Sequence, residues 1–250
     1  MTREEAAIKV PAITAGFWII KILATTLGET GGDAVSMSMG LGYLVSTGIF
    51  LAIFIAALVA QISASKFHPC LYWATIVAST TVGTTLADFV DRSLGVGYLG
   101  GSMMLFALLL SSLFVWHRSA GSVDVSSVSN TKSEFFYWMT IMFSQTLGTA
   151  LGDWTADSAG LGYLGAALIF GGLLVVVGAG YFSARVSRTA LFWAAFILTR
   201  PLGAVLGDYL DKPVIKGGLE LSRYSATAVL LTVIVVLILV LAQRPATRTH

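Results

Sequence analysis

Charged residues are scarce in this sequence. They make up 11% of its 250 residues, while 56% of the residues are hydrophobic. An ordinary soluble domain is about 25% charged, so a soluble protein of this size could not cover its surface with so few charges. The composition therefore excludes that class and predicts an integral membrane protein, with the lipid bilayer as its first partner.

Several chemical motifs are missing as well. The single cysteine, Cys70, excludes an internal disulfide. A formal net charge of +2 is too small to favour nucleic acid as a partner. The chain has no nucleotide-binding glycine loop, no nucleophile elbow and no paired histidines in an apolar segment. We therefore expect neither enzymatic activity nor a covalent cofactor.

Long apolar segments are what the chain does contain. A membrane-spanning helix needs roughly 20 predominantly apolar residues. Eight segments meet this requirement, at about 11–33, 43–63, 69–90, 97–117, 134–157, 161–183, 188–210 and 222–243. These segments predict an all-α integral membrane fold with eight transmembrane helices.

A motif headed by an aromatic residue and a tryptophan occurs four times. The tryptophans are Trp18, Trp73, Trp138 and Trp193. Ten residues after each tryptophan stands a glycine, and fifteen residues after it stands an aspartate, in the order Asp33, Asp88, Asp153 and Asp208. Eight residues after it stand Thr26, Thr81, Thr146 and, in the fourth copy, Pro201. The chain is thus predicted to consist of four tandem two-helix repeats.

This pattern resembles a family of bacterial membrane proteins built from four tandem two-span repeats. In that family each repeat has one characteristic tryptophan, and the repeat is catalogued as one of unknown function. The resemblance covers nearly the whole chain. It implies the architecture and a bacterial inner membrane, and it implies no activity.

The two spans of each repeat differ in composition. The first, or odd, spans carry Thr, Ser, Gly and the carboxylates, whereas the second, or even, spans are rich in Leu, Val, Ile and Phe. Small and polar residues allow helices to approach closely and to hydrogen-bond in lipid. We therefore predict that the odd spans lie inside the bundle and the even spans around them. The apolar even spans are compatible with a monomer or a homo-oligomer.

The chain is predicted to be a duplicated pair of repeats. Residues 1–118 form the first half, 119–133 a flexible polar linker, and 134–250 the second half. Two spans per repeat keep every copy in one orientation, which predicts pseudo-twofold halves about an axis along the membrane normal. Lys and Arg are concentrated near the termini and between repeats, so both termini are predicted to be cytoplasmic. The tryptophans, and the tyrosines that open the even spans, are interpreted as interfacial anchors.

Carboxylates within the odd spans are the candidate functional residues. A charge in the bilayer is costly, and hard cations favour carboxylate oxygens as ligands. The favoured substrate is a divalent or monovalent cation, with a divalent metal ion as one candidate, and its predicted ligands are Glu29, Asp33, Asp88, Asp153 and Asp208. Thr26, Thr81 and Thr146 are predicted to line the same stripe. Lys21 and Arg200 are the expected charge partners, and an anion would be favoured if their charges dominate.

Three functions remain open on this basis. The favoured one is a multi-pass transporter, a secondary carrier or exporter of a small metal cation through a carboxylate-lined path. The alternative is a membrane scaffold or sensor that does not transport. In such a protein the odd helices would pack without water between them, and every aspartate would be paired with a basic residue or a helix end. An intramembrane hydrolase is third, because nothing singles out an aspartate dyad.

Overall fold

Eight long helices account for most of the chain. A computed structural model describes residues 8–183 and 185–246. The helices are α1 (Ala15–Asp33), α2 (Gly42–Ser63), α3 (Pro69–Asp88), α4 (Tyr98–Ala120), α5 (Thr131–Asp153), α6 (Gly162–Gly180), α7 (Arg188–Asp211) and α8 (Arg223–Val240). These bounds lie within a few residues of the predicted spans, which confirms the all-helical class.

Five of the described helices are long and apolar enough to cross a membrane, namely α2, α4, α6, α7 and α8. The remaining three, α1, α3 and α5, are of similar length but carry more Thr. Their polar character is tolerated because most of their side chains are buried against other helices. Several helices are thus suited to a bilayer, and the count of eight spans stays a prediction.

The odd helices form a closed inner ring. Helix α1 packs on α3, α3 on α5, α5 on α7, and α7 returns to α1. Each even helix packs on the odd helix of the following repeat: α2 on α3, α4 on α5, α6 on α7, and α8 on α1. The repeats therefore interlock in a cycle, which is closed where Pro11 and Pro245 pair in a single β-bridge.

Glycines set the spacing of this ring. In each repeat, the glycine that stands ten residues after the tryptophan lies against a side chain of the next repeat. That side chain belongs to the residue seven positions after the next repeat's own tryptophan. These contacts join Gly28 to Thr80, Gly83 to Gln145, Gly148 to Arg200, and Gly203 to Thr25. A side chain at any of the four glycines would collide with the neighbouring helix, so the inner helices pack as closely as small residues in membrane helices allow.

Three odd helices end in a π-helical turn directly after their aspartate. The turns are Ala34–Ser38, Phe89–Ser93 and Trp154–Ser158. In the fourth repeat the α-helix instead continues to Asp211. Single π-helical turns are frequent at functional sites, and here three of them surround the buried aspartates.

The segment between α4 and α5 is anchored to α7. Asp124 accepts hydrogen bonds from Ser126 and from the Thr189 hydroxyl, the latter at 2.8 Å. Partial burial would raise the pKa of Asp124, but these hydrogen bonds outweigh it and hold the pKa below its ordinary value. The predicted linker is therefore held in place within the structure, and the division into two halves stays a prediction.

Candidate functional site

The four repeat aspartates converge at one end of the inner ring. Asp33, Asp88, Asp153 and Asp208 are each no more than 2% exposed. Each stands near the end of an odd helix, so the closed ring of helices brings all four to the same level. Glu29 lies one turn deeper, also buried.

Arg200 neutralises Glu29 at the centre of the bundle. Its guanidinium is fully buried and donates two hydrogen bonds of 3.1 Å to Oε2 of Glu29. It also donates to the hydroxyl of Thr84 at 2.6 Å and to the hydroxyl of Thr149. Thr84 in turn donates to the same Glu29 oxygen. One arginine of the fourth repeat is thus bound by side chains of the other three.

Two further basic residues hold the aspartates in pairs. Arg92 lies 3.0 Å from Asp88 and 2.9 Å from Asp153. Lys212 lies 2.9 Å from Asp208 and 2.6 Å from Asp33. Each basic residue joins the aspartate of its own repeat to that of the next, so the outer layer of the site has pseudo-twofold symmetry.

Carboxylate oxygens from three repeats come close enough to share one cation. One oxygen each of Glu29, Asp153 and Asp208 lies within 4.8 Å of the other two, and the same holds for Asp33, Asp208 and Asp211. Hard divalent cations take carboxylate oxygens at roughly 2.0–2.6 Å, so three oxygens at this separation can converge on one ion after a small inward movement.

The site carries an excess of negative charge. Its five carboxylates, Glu29 and the four repeat aspartates, face three basic groups, Arg92, Arg200 and Lys212. Two negative charges are left when all groups are ionised. Asp211 does not add to the excess, because Arg223 pairs with it at 2.7 Å. A divalent cation, or two protons, would balance this charge.

Some of the predicted site residues do not join the cluster. The hydroxyls of Thr26, Thr81 and Thr146 donate to carbonyls of their own helices, one turn back. Lys21 lies about two turns nearer the other end of the bundle, where its ammonium contacts Gln145 and the Phe196 ring. The charge partner of Glu29 is therefore Arg200 and not Lys21.

Sequence reasoning missed several residues of the cluster. Thr84 and Thr149 occupy the repeat position of Glu29, eleven residues after the tryptophan, and this register could have identified them. Arg92 and Lys212 share another register, nineteen residues after the tryptophan. They lie in polar turns after the repeat aspartates, and the sequence gives no sign that their side chains reach the site.

Arg92 is also bound by two of the tyrosines that open even helices. Its guanidinium donates to the hydroxyl of Tyr98 at 2.9 Å and to that of Tyr43 at 3.1 Å. The side chain of Arg92 is 28% exposed. These tyrosines therefore cover the outer edge of the site, in addition to any contact with the membrane interface.

The opposite end of the inner ring is closed by aromatic side chains. The first aromatic residue of each pair packs on the tryptophan of the next repeat, with ring centroids 5.3–6.2 Å apart, in the pairs Phe17–Trp73, Tyr72–Trp138, Tyr137–Trp193 and Phe192–Trp18. Three of the tryptophans are buried. The interpretation of the tryptophans as interfacial anchors is therefore wrong for those three, because they fill the interior of the ring.

Tyr72→Phe is expected to lower the free energy of unfolding by about 1–2 kcal/mol, because it leaves the buried Tyr137 hydroxyl without its partner at 2.6 Å. The measurement is denaturant-induced unfolding of the purified protein in detergent. Tyr72→Phe combined with Tyr137→Phe should recover part of this loss, since no unpaired hydroxyl remains. A double variant that is less stable by the sum of two such losses would contradict this interpretation.

Comparison with known proteins agrees with the fourfold pattern. The family model described as Repeat of Unknown Function (DUF347) matches the chain four times, at residues 16–67, 71–122, 136–187 and 191–245. Each match begins next to one aromatic–Trp pair and includes one odd and one even helix. The comparisons with curated proteins and with solved structures gave no match.

Proposed function

We propose the following function for this chain, which belongs to the Repeat of Unknown Function (DUF347) family: it is a multi-pass inner-membrane transporter, a secondary carrier or exporter of a small metal cation. All eight helices span the bilayer, with both termini in the cytoplasm. The cation passes along a path lined by Glu29 and the repeat aspartates.

The observation that carries this proposal is the meeting of Glu29, Asp153 and Asp208 inside the ring. Buried carboxylates are costly in a membrane protein, and three of them from different helices within reach of one another add mutual repulsion. A cation between them removes that repulsion. The excess of two negative charges in the cluster favours a divalent ion with carboxylate ligands, such as Mg²⁺ or Mn²⁺.

The two ends of the ring differ in chemistry. The carboxylate end is covered by charged and tyrosine side chains, of which Arg92 is partly exposed. The aromatic end is packed with buried rings. Alternating access moves helices of one half against those of the other around a fixed site, and the seam between halves would run between α3 and α5 and between α7 and α1.

A membrane scaffold or sensor is the second candidate, and one observation favours it. Every carboxylate of the cluster has a basic partner in the structure, as a static packed core would require. The two functions differ in what the excess negative charge does. A carrier binds and releases a cation there, whereas a scaffold keeps the aspartates protonated or permanently paired.

Measurement of cation uptake into proteoliposomes distinguishes the carrier from the scaffold or sensor. We expect the wild type to move a divalent cation from a panel of ions, and both Glu29→Gln and Asp153→Asn to abolish that flux, because each removes a ligand charge. The matched control is Asp157→Asn, which changes an exposed aspartate four residues beyond Asp153 and should retain the flux. Folding of each variant is checked by gel filtration in detergent.

Two results would count against the carrier. No flux of any ion from folded wild-type protein would favour the scaffold or sensor. Flux that persists in both Glu29→Gln and Asp153→Asn would show that these carboxylates are not the ligands.

A further inference from the structure

An apolar groove lies outside the inner ring, between the even helices α2 and α8. Its volume is about 330 Å³. Helix α3 forms its floor from Cys70 to Thr81, which is roughly 16 Å along the helix axis. Phe50 of α2 and Ile234 and Leu239 of α8 line its walls. Half of the hydrocarbon core of a bilayer is about 15 Å thick, so the groove has the length of one lipid acyl chain.

The groove exists because the second repeat has small residues on its floor. Five residues after its tryptophan stands Ala78, where the other repeats have Leu23, Phe143 and Leu198. One residue after its tryptophan stands Ala74, where the other repeats have Ile19, Met139 and Ala194. Only the second repeat has alanine at both positions, and both alanines line the groove. The groove is thus the space that larger side chains fill in the other three repeats.

Basic residues stand at the end of the groove where α3 begins and α8 ends. Lys66 stands four residues before Cys70. Arg244 directly follows Gln243, whose Oε1 accepts a hydrogen bond of 3.3 Å from the indole N–H of Trp73 in the groove. Both basic residues are exposed, and neither pairs with a carboxylate in the part of the chain that the structure describes. This end of the groove therefore suits an anion.

We propose that this groove binds one anionic phospholipid of the cytoplasmic leaflet, with an acyl chain between α2 and α8 and the headgroup phosphate at Lys66 and Arg244. Helices α2 and α8 are long and apolar enough to cross a membrane, so the groove would open to hydrocarbon. Anionic lipids of the cytoplasmic leaflet attract basic side chains near the membrane surface. This inference rests on the membrane placement within the proposed function, and it does not depend on transport.

The size of the groove favours a lipid chain over a helix from a second copy of the protein. A helix about 10 Å across would occupy roughly 1,000 Å³ over the same length, which is about three times the volume of the groove. A second copy could therefore enter only if α2 and α8 moved apart. A single flexible chain fills the space as it stands and supplies the contacts that Ala74 and Ala78 leave open.

Cys70 provides a direct measurement of occupancy, because it is the single cysteine of the chain, is exposed and lines the groove. Delipidated full-length protein in detergent receives phosphatidylglycerol or phosphatidylcholine in mixed micelles. The rate of Cys70 labelling by N-ethylmaleimide is measured, and native mass spectrometry counts the bound lipids. We expect one bound phosphatidylglycerol, which slows labelling about fivefold or more. Lys66→Gln combined with Arg244→Gln should lower the preference for phosphatidylglycerol over phosphatidylcholine by roughly 20-fold.

Ala78→Leu fills the groove with the residue that the first and fourth repeats have at this position. We expect it to weaken phosphatidylglycerol binding about tenfold or more and to remove the lipid-dependent protection of Cys70. Ala74→Leu changes an exposed residue of the groove floor and gives the same test if Ala78→Leu does not fold. The matched control is Ala107→Leu, at an exposed alanine of α4, which should leave binding and protection unchanged. Folding of each variant is checked by gel filtration.

Three results would overturn this inference. Absence of lipid binding and of Cys70 protection in the wild type would exclude a lipid from the groove. Equal protection by the two lipids would exclude recognition of the headgroup by Lys66 and Arg244. Protection without lipid that grows with protein concentration would show that a second copy covers the groove. None of these results bears on cation flux, which is tested separately at Glu29 and Asp153, so the carrier can stand when this inference fails.

Discussion

Arg200→Met is expected to lower the free energy of unfolding by about 3–5 kcal/mol, the usual cost of removing one partner of a buried ion pair. The guanidinium is fully buried and is bound by Glu29, Thr84 and Thr149. Without it the Glu29 carboxylate keeps only threonine hydroxyls, which cannot balance its charge. Denaturant-induced unfolding in detergent, followed by circular dichroism, measures the loss.

Two further variants distinguish the ion pair from simple packing. Glu29→Gln added to Arg200→Met should restore much of the stability, because it removes the uncompensated charge. Arg188→Met removes an exposed arginine from the same helix and should change stability by no more than about 0.5 kcal/mol. A combined variant no more stable than Arg200→Met alone would mean that the arginine acts by filling space.

Gly83→Ala is expected to destabilise the protein by about 2–3 kcal/mol, the upper part of the range for overpacked sites. An added Cβ would lie 2.8 Å from the backbone carbonyl carbon of Gln145 and 3.0 Å from the nitrogen of Thr146. Backbone atoms of a packed helix cannot move aside singly, so α3 and α5 must separate. Because the inner helices form a closed ring, this separation disturbs the other interfaces as well.

Gly171→Ala on α6 is the matched control. An added Cβ there has no atom within 4 Å, and alanine is favoured over glycine in a helix by up to about 1 kcal/mol. The same substitution should therefore be neutral or stabilising on the outer helix and destabilising in the ring. The measurement is again unfolding in detergent, and equal effects at the two positions would contradict the close-packed ring.

Gly83→Ala should also affect transport more than Gly171→Ala does. The seam between α3 and α5 lies where the two predicted halves meet, so a wider seam would misplace Asp153 of the second half relative to Glu29 of the first. We expect cation uptake to fall together with stability in Gly83→Ala and to remain near the wild-type level in Gly171→Ala.

Sequence alone determined the elements and their repetition. Long apolar runs with few charges can be stable only as helices that satisfy their own backbone in lipid, and the helix bounds follow from where those runs end. The recurring tryptophan, glycine and aspartate established four units in one register, which the family match confirms. The concentration of small and polar residues in the odd helices also indicated that they lie inside, because such residues allow close contact.

Only the tertiary structure decided which groups meet. Helical periodicity identifies the residues that share a face, but not the helix that this face contacts. The interlocking order, in which each even helix packs on the odd helix of the next repeat, is therefore absent from the sequence pattern. The order of the odd helices, in which α7 returns to α1 and closes the ring, is absent from it as well. This closure places Arg200 against Glu29, and Lys212 of the fourth repeat against Asp33 of the first.

The threonines also separate what the sequence determines from what only the tertiary structure decides. Thr26 and Thr84 both stand near a carboxylate position in their repeats, and both could have been assigned to the site. The hydroxyl of Thr26 reaches the carbonyl one turn back on its own helix. That of Thr84 lies 3.2 Å from the corresponding carbonyl of Thr80 and also 3.2 Å from Glu29 on a neighbouring helix. A hydroxyl on a helix can bond its own backbone or a partner, and the distance to the next helix, which glycine contacts set in this ring, decides whether a partner is within reach.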